Sequence, residues 1–165
     1  MAPRRLFASC RHVTEHSAGI LLYRHGPRGL EVLLVHPGGP YWQKRDAGAW
    51  QIPKGKIDEG EALLATALRE FREELGVVLD GGGAQPLTRI RQAAGKWVDS
   101  FALEGDLDAD AIVSETFEME WPPKSRRIQT YPEVDCARWF LLYEARDKML
   151  KSQLPLLDEL ETLLR

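Results

Sequence analysis

The stretch GKIDEGEALLATALREFREELGV, residues 55–77, determines most of what this sequence predicts. Four of its apolar residues recur at spacings of 4, 3 and 4: Leu64, Leu68, Phe71 and Leu75. That spacing is the period of a helix face that packs against a core. Gly76 follows directly, and glycine is the usual residue just past the C-terminus of a helix. The sequence therefore predicts an amphipathic helix over residues 61–75.

The same stretch carries six acidic side chains and only three basic ones. On a helical wheel of about 100° per residue, Glu73 and Glu74 fall about 60° and 40° to either side of Glu70. Like charges three or four residues apart on a helix repel by a few tenths of a kcal/mol per pair. A solvated acidic face with Arg69 and Arg72 as partners would compensate these carboxylates, and so would a bound metal ion.

A fixed pattern of residues surrounds the predicted helix. Gly55 is followed after five residues by Glu61, and after seven more by Arg-Glu-Phe-Arg-Glu-Glu-Leu-Gly-Val at 69–77. This pattern resembles, without a mismatch, the signature of the Nudix hydrolase family. Looser similarities to the family lie further along the chain: AGILLYR at 18–24, WQIPKG at 50–55 and RWF at 138–140. Together these segments extend the resemblance over most of the chain after residue 16.

The order of the predicted elements indicates the fold class. Apolar runs at 18–24 and 30–36, separated by a turn rich in glycine and proline, predict a β-hairpin. Further strands are predicted at 49–53, 86–92, 96–103, 116–121 and 137–143, and further helical segments at 144–150 and 154–165. This order predicts a mixed sheet covered by helices, an α+β fold, and not a regular βαβ winding. The resemblance implies a Nudix-type α/β/α sandwich over residues 17–165, preceded by an N-terminal arm at 1–16.

Clustered carboxylates suit one chemistry in particular. A hard divalent cation neutralises the oxygens that shield a phosphoanhydride phosphorus, and it activates the attacking water. Mg²⁺ takes oxygen ligands and keeps some of its own water, so a few carboxylates suffice to bind it. The resemblance implies Mg²⁺ or Mn²⁺ as the cofactor. It implies as ligands the carbonyl of Gly55 together with Glu73, Glu74 and Glu70, the last of which is also a candidate water-activating base. It assigns Arg69 to the catalytic set, as the residue that orients a carboxylate.

Nudix enzymes often take a further acid from outside this signature, and three residues qualify here. Glu133 is our first choice, because it lies six residues before Trp139 and follows Pro132, which restricts the backbone. Glu118 and Glu120 alternate on the predicted strand TFEMEW, so they would share one of its faces. A plain surface position for all three acids stays open at this stage.

Several cations and aromatic side chains are candidates for binding a substrate. Lys54 lies in PKG, just before the signature, and is a candidate ligand for phosphate. Lys124 and Arg126 lie in the run PPKSRR and are further candidates, although such a run is also typical of a polar loop. Tyr41 and Trp42, in a long loop rich in glycine and proline, are candidates to stack on a base.

Composition restricts the partners. The net charge of −3 provides no overall basic field, which disfavours nucleic acid as a partner. No segment approaches the roughly 20 apolar residues of a membrane-spanning helix, and the N-terminus lacks the apolar core of a signal peptide. The two cysteines, Cys10 and Cys136, are too few for a disulfide framework. We therefore expect a cytoplasmic domain without a membrane partner, and the sequence leaves its oligomeric state open.

These features predict a metal-dependent hydrolase that cleaves a phosphoanhydride bond in a nucleoside diphosphate linked to another moiety. The segment WQIPKG resembles that of dinucleoside polyphosphate and related polyphosphate hydrolases, which favours such a small-molecule substrate. An NTP pyrophosphohydrolase is the first alternative. A non-catalytic nucleotide-sensing module on the same fold is the second, although a sensor need not keep every metal carboxylate.

Overall fold

The structure is a computed structural model and describes residues 15–165. These residues form nine strands and three α-helices. In chain order they are β1 (His16–Gly26), β2 (Gly29–Pro37), β3 (Lys54–Lys56), α1 (Leu63–Leu75), β4 (Gln85–Pro86), β5 (Ile90–Arg91), β6 (Trp97–Glu104), β7 (Thr116–Glu120), β8 (Ile128–Pro132), β9 (Val134–Leu141), α2 (Leu142–Lys148) and α3 (Leu154–Leu163). None of the described helices combines the length and the apolarity needed to cross a bilayer. The predicted N-terminal arm lies outside the described residues, except for Glu15 and for His16, where β1 begins.

Seven strands form one mixed sheet in the order β4–β6–β1–β2–β9, with β3 paired to β1 and β5 paired to β6. β1 and β6 run parallel, and the other pairs of this sheet are antiparallel. β1 and β2 form the predicted hairpin, which closes at Gly26 and Gly29. The mixed sheet confirms the α+β class.

Helices cover both faces of this sheet. The first core, between α1 and the sheet, includes Ile20, Leu22, Phe71 and Leu75. The second core, between α3 and the opposite face, includes Leu21, Leu34, Leu157 and Leu160. Successive residues of a strand point to opposite faces, so the unbroken apolar run of β1 is buried on both sides. The predicted sandwich of helix, sheet and helix is therefore present.

α1 has the amphipathic character that its sequence predicts, and all four residues of its apolar stripe pack into the first core. It begins at Leu63 and not at residue 61, because the N-cap residue Ala62 is extended. It ends at Gly76, whose φ of 73° is left-handed and whose N–H donates to the carbonyl of Arg72 at 2.7 Å. The carboxylate face of α1 is consequently held in a fixed orientation against the sheet.

Two predicted strands differ from the structure. Residues 49–53 make only isolated bridges, at Trp50 and Gln51, and the strand of this region is β3, which begins after Pro53. Residues 86–92 are divided between β4 and β5. Pro53 accounts for the first difference, because proline has no N–H to donate to a sheet ladder.

β7 and β8 form a separate two-stranded sheet, which we call the hairpin (residues 116–132). Its register runs from Thr116 opposite Pro132 to Glu120 opposite Ile128. β8 has no counterpart among the predicted strands, because its sequence IQTYP is mostly exposed and lacks the alternation of a half-buried strand.

Candidate active site

The carboxylate face of α1 lies against β3. Gly55, in the middle of β3, pairs with Ala18 of β1. A Cβ atom at Gly55 would lie 1.9 Å from the carboxyl carbon of Glu70, so a side chain larger than hydrogen does not fit there. Glycine at this position therefore lets the Glu70 carboxylate approach the backbone of β3. The structure thus brings together two residues of the predicted metal site.

Arg69 binds three acidic side chains of the signature. Its Nε donates to Glu61 Oε2 at 2.9 Å, and its Nη1 donates to Glu70 Oε1 at 2.8 Å. The same Nη1 lies 3.1 Å from Glu73 Oε2. Its Nη2 also donates to the carbonyl oxygen of Lys56 at 3.0 Å. Arg69 therefore compensates much of the acidic cluster and ties α1 to β3, whereas Arg72 is exposed and makes no ion pair with any residue between 15 and 165.

The environments of these carboxyls shift their pKa values in opposite directions. Hydrogen bonds from Arg69 and then from Thr66 lower the pKa of Glu61 to about 2. The pKa of Glu70 is raised, because its burial outweighs the hydrogen bond from Arg69 and because the charges of Glu73 and Glu133 add to the effect. Arg69 and Thr66 therefore stabilise the ionised form of Glu61. The charge of Glu70 is less well compensated, so a positive charge bound nearby would stabilise its ionised form.

A cavity of about 290 Å³ opens beside this face of α1. Its lining includes two acids, one cation and one aromatic ring: Glu74, Glu133, Lys54 and Phe117. Its charged groups come from α1, from β3 and from the segment between β8 and β9. The cavity is therefore a meeting point of chain segments that lie far apart in the sequence.

Glu74 and Lys54 bring opposite charges into this cavity. Burial raises the pKa of Glu74 to about 8, the ammonium of Lys54 offsets part of that rise, and the charges of Glu70 and Glu133 add to it. Burial likewise lowers the pKa of Lys54, against the opposing charge of Glu74. Glu74 is consequently a buried acid whose charge the protein compensates only in part.

Glu133 lines the cavity, and its backbone is held on both sides. Its N–H donates to the carbonyl of Glu115 at 2.8 Å, and its carbonyl accepts from the N–H of Gly38 at 3.0 Å. A Cβ atom at Gly38 would lie 1.8 Å from the carbonyl oxygen of Pro132, so glycine is required for this contact. Partial burial of the carboxyl, followed by the charges of Glu115 and Glu73, raises the pKa of Glu133.

Glu118 and Glu120 are placed differently. Both are exposed on β7, whereas Phe117 between Thr116 and Glu118 lines the cavity. Side chains alternate along a strand, so the two acids point away from the cavity wall that Phe117 forms. The structure therefore brings Glu133, and not its two rivals, to the carboxylates of α1. Phe117 is absent from the predicted site, although the alternation of TFEMEW was the signal that could have identified it.

The remaining predicted substrate ligands lie at the far end of the hairpin. Lys124 and Arg126 are exposed in the turn between β7 and β8, where both adopt left-handed φ values of 63° and 61°. The hairpin extends four residue steps from Pro132 to that end, about 13 Å at the rise of a strand. Lys54 therefore adjoins the carboxylates, while Lys124 and Arg126 are too remote to bind the same phosphate.

The side chains are not arranged as a ready metal site. Between residues 15 and 165, no three His, Cys, Asp or Glu side chains converge closely enough to hold an ion. Arg69 instead binds oxygens of Glu70 and Glu73, two of the predicted ligands. The assignment of these glutamates as metal ligands remains a prediction.

Comparison with known proteins identifies a family model that matches most of the chain. A model described as the NUDIX domain matches residues 14–160. The RNA pyrophosphohydrolase of Caulobacter vibrioides is 44% identical over 59 residues, which are 33% of this chain and 34% of that protein. Nudix hydrolase 10 of Arabidopsis thaliana is 52% identical over 49 residues, 30% of this chain and 18% of that protein. The chain thus spans about a third or less of the length of these relatives.

Solved structures resemble the whole domain. The binary complex of a C. elegans Ap4A hydrolase superposes with a TM-score of 0.62 and 21% identity, over 90% of this chain and 97% of that one. The NUDIX domain of Shewanella oneidensis NrtR, complexed with ADP ribose, superposes with a TM-score of 0.64 and 20% identity, over 98% of this chain and 95% of that one. At such identities the likeness concerns the fold.

Proposed function

The chain belongs to the Nudix family of hydrolases, and on that basis we propose that it hydrolyses a phosphoanhydride bond in a nucleoside diphosphate linked to another moiety. One observation carries the proposal. Glu74, Glu133 and Lys54 meet at a single cavity, immediately beside Glu70 and Gly55. Acids for a metal and for water, and a cation for phosphate, are the groups that such a reaction needs.

The donor set fits a hard divalent cation, Mg²⁺ or Mn²⁺. Glu74 is a buried carboxyl with a pKa of about 8 and only partial compensation, which is the electrostatic deficit that a cation would remove. Glu70 and Glu73 offer further oxygens if they turn from Arg69, and the backbone of Gly55 lies against Glu70. When bound, such a cation would polarise the phosphoryl group and lower the pKa of a water molecule.

The chain's own residues supply the remaining functions. Lys54 faces the cavity and would hold a phosphate oxygen through its ammonium group. Glu133 would take the proton of the attacking water, since a general base works best when its pKa is near the operating pH and that of Glu133 is shifted in this direction. Glu70 is the second candidate base, with one oxygen restrained by Arg69.

A dinucleoside polyphosphate is the substrate class that we favour. The segment WQIPKG supports it. The C. elegans Ap4A hydrolase shares the fold of this chain. The relatives named RNA pyrophosphohydrolase make the triphosphate end of RNA a second candidate, although the net charge of −3 disfavours a long nucleic acid. A nucleoside triphosphate is the third. A cytoplasmic location is consistent with Cys136, which forms no disulfide with any residue between 15 and 165.

Metal dependence provides the first test. Excess chelator is expected to abolish turnover, and added Mg²⁺ or Mn²⁺ to restore it. Either metal should also raise the melting temperature, because a ligand that binds only the folded state stabilises it. The Glu74→Gln variant is the control, since it should lose most of this thermal shift. Full turnover in chelator would exclude the proposal.

A substrate screen provides the second test. Diadenosine tetraphosphate, ATP, ADP-ribose and a short RNA with a 5′-triphosphate are compared at equal concentration with Mg²⁺, and released phosphate and pyrophosphate are measured. Binding of a nucleotide without turnover of any of them would identify a sensor module. Preferred turnover of RNA or of ATP would show that the favoured substrate class is wrong, and the assignment as a hydrolase would remain.

A further inference from the structure

An aromatic pair joins the hairpin to the loop between β2 and β3. The rings of Tyr41 and Trp121 meet edge to face, with centroids 5.0 Å apart. Tyr41 is nevertheless 58% exposed, so one face of its ring is open to solvent. Trp42, the residue next to it, packs against the second core instead. The structure therefore separates the two stacking candidates of the sequence and leaves Tyr41 available.

The pair is continuous with the wall of the catalytic cavity. Phe117 lines that cavity, and Phe117 and Met119 are the partly buried residues of β7, with Trp121 next in the same alternation. The loop follows this row, since a Cβ atom at Gly39 would lie 3.1 Å from Phe117. Four residue steps of a strand span about 13 Å, the scale of a nucleoside diphosphate from its phosphates to its base.

Trp121 is held in place by the backbone of the hairpin. Its N–H donates to the carbonyl of Arg127 at 2.9 Å, and its own carbonyl accepts from the side chain of Gln129 at 3.1 Å. These bonds restrain the main chain of Trp121, and its ring contacts that of Tyr41 edge to face. Lys124 and Arg126 lie in the turn that follows Trp121.

We propose that the open face of Tyr41, supported by Trp121, stacks on the base of a nucleotide whose phosphates lie in the cavity at Lys54. An exposed aromatic ring is a feature that recognises bases with little sequence preference, and Tyr41 is such a ring in contact with a second one. The proposal rests on the proposed function, because the phosphates locate the base. It assigns the hairpin and its loop to substrate selection, and it explains why a hydrolase would carry a second sheet outside its main one.

The test uses two inert ligands that differ in the presence of a base. α,β-Methylene-ADP has adenine and an uncleavable bridge, and methylenediphosphonate has the bridge alone. Affinities are measured by calorimetry with Mg²⁺ for wild type, Tyr41→Ala, Tyr41→Phe and Tyr143→Ala. Tyr143 is the matched control, since it is 68% exposed and lies on α2. Tyr41→Ala should weaken the nucleotide about tenfold, the scale of losing one stacking partner.

The other measurements separate stacking from a structural role. Methylenediphosphonate should bind Tyr41→Ala as it binds wild type, and Tyr41→Phe and Tyr143→Ala should bind both ligands normally. An equal loss for both ligands would show that Tyr41 only supports the fold, and no loss for either would remove it from the site; both outcomes overturn the proposal. Because neither ligand is cleaved, absence of hydrolysis in the wild type counts against the proposed function and not against stacking.

Discussion

The two ends of the carboxylate face of α1 differ in how their charge is compensated. At one end, Arg69 binds Glu61, Glu70 and Glu73 through hydrogen bonds and ion pairs. At the other end, Glu74 enters the cavity, where only Lys54 opposes its charge. Removing one partner of a buried ion pair is costly, because the charge of the other partner is then left uncompensated. The comparison teaches that the protein itself balances one group of carboxylates, those bound by Arg69, and leaves the charge of Glu74 balanced only in part.

The largest expected effect is on turnover, at Glu74. Glu74→Gln keeps the shape of the side chain but removes the anionic ligand, so kcat should fall by about a thousandfold or more. The metal-free variant should melt no lower than wild type, since repulsion with Glu70 is relieved. Steady-state kinetics and thermal melts in chelator measure both quantities. Near-normal kcat with a large loss of stability would mean that Glu74 has a structural role and is not a metal ligand.

The second effect concerns the acid from outside the signature. Glu133→Gln should lower kcat about a hundredfold at saturating metal and substrate, the usual scale for loss of a general base. Glu118→Gln and Glu120→Gln are the matched controls and should stay within about twofold, because both residues are exposed on the other face of β7. If Glu120→Gln were inactive and Glu133→Gln were normal, the general base would be Glu120 on β7 and not Glu133.

The third effect is on stability, at Arg69. Arg69→Gln leaves three partly buried carboxylates without their cation, so the free energy of unfolding should fall by about 2 kcal/mol. Arg72→Gln, three residues on and exposed, should change it by less than about 0.5 kcal/mol. Urea unfolding in chelator measures both. Equal losses for the two variants would contradict a specific role for Arg69.

The smallest effects are expected in the pH dependence of stability, which should have opposite signs for Glu74 and Glu61. The pKa of Glu74 rises from 4.5 to about 8 on folding, so its contribution to stability is full below pH 4.5 and is lost as the pH rises toward 8. The pKa of Glu61 falls from 4.5 to about 2, so its contribution is present above pH 4.5 and is lost as the pH falls toward 2. Relative to wild type, metal-free Glu74→Gln should gain up to roughly 2 kcal/mol between pH 4.5 and 8.

Thermal melts from pH 2 to 9 measure the pH dependence of stability for the variants of both residues. The deficit of Glu61→Gln relative to wild type should be constant above pH 4.5 and should shrink in acid. A stability difference for Glu74→Gln that does not change with pH would show that this carboxyl has an ordinary pKa in the folded protein.

Much of the fold was accessible from the sequence. The spacing of four apolar residues predicts α1, Gly76 predicts where it ends, and two apolar runs predict the hairpin of β1 and β2. These features depend on neighbours close in the chain, which a local pattern reports well. Pro53 displaced one predicted strand, because proline has no N–H to donate to a sheet ladder. The division of residues 86–92 between β4 and β5 was not visible in the local pattern.

The sequence by itself determined the family, the α+β class and the grouping of Glu70, Glu73 and Glu74 on one helix face, since fixed spacings on a helix set which side chains are neighbours. Only the tertiary structure decided which carboxylates Arg69 binds and which acid outside the signature reaches the cavity. Glu133 is 59 residues from Glu74 in the chain (133 − 74), and the two line the same cavity. Contacts over such separations depend on how the sheet, the helix and the hairpin pack together, which no local period encodes.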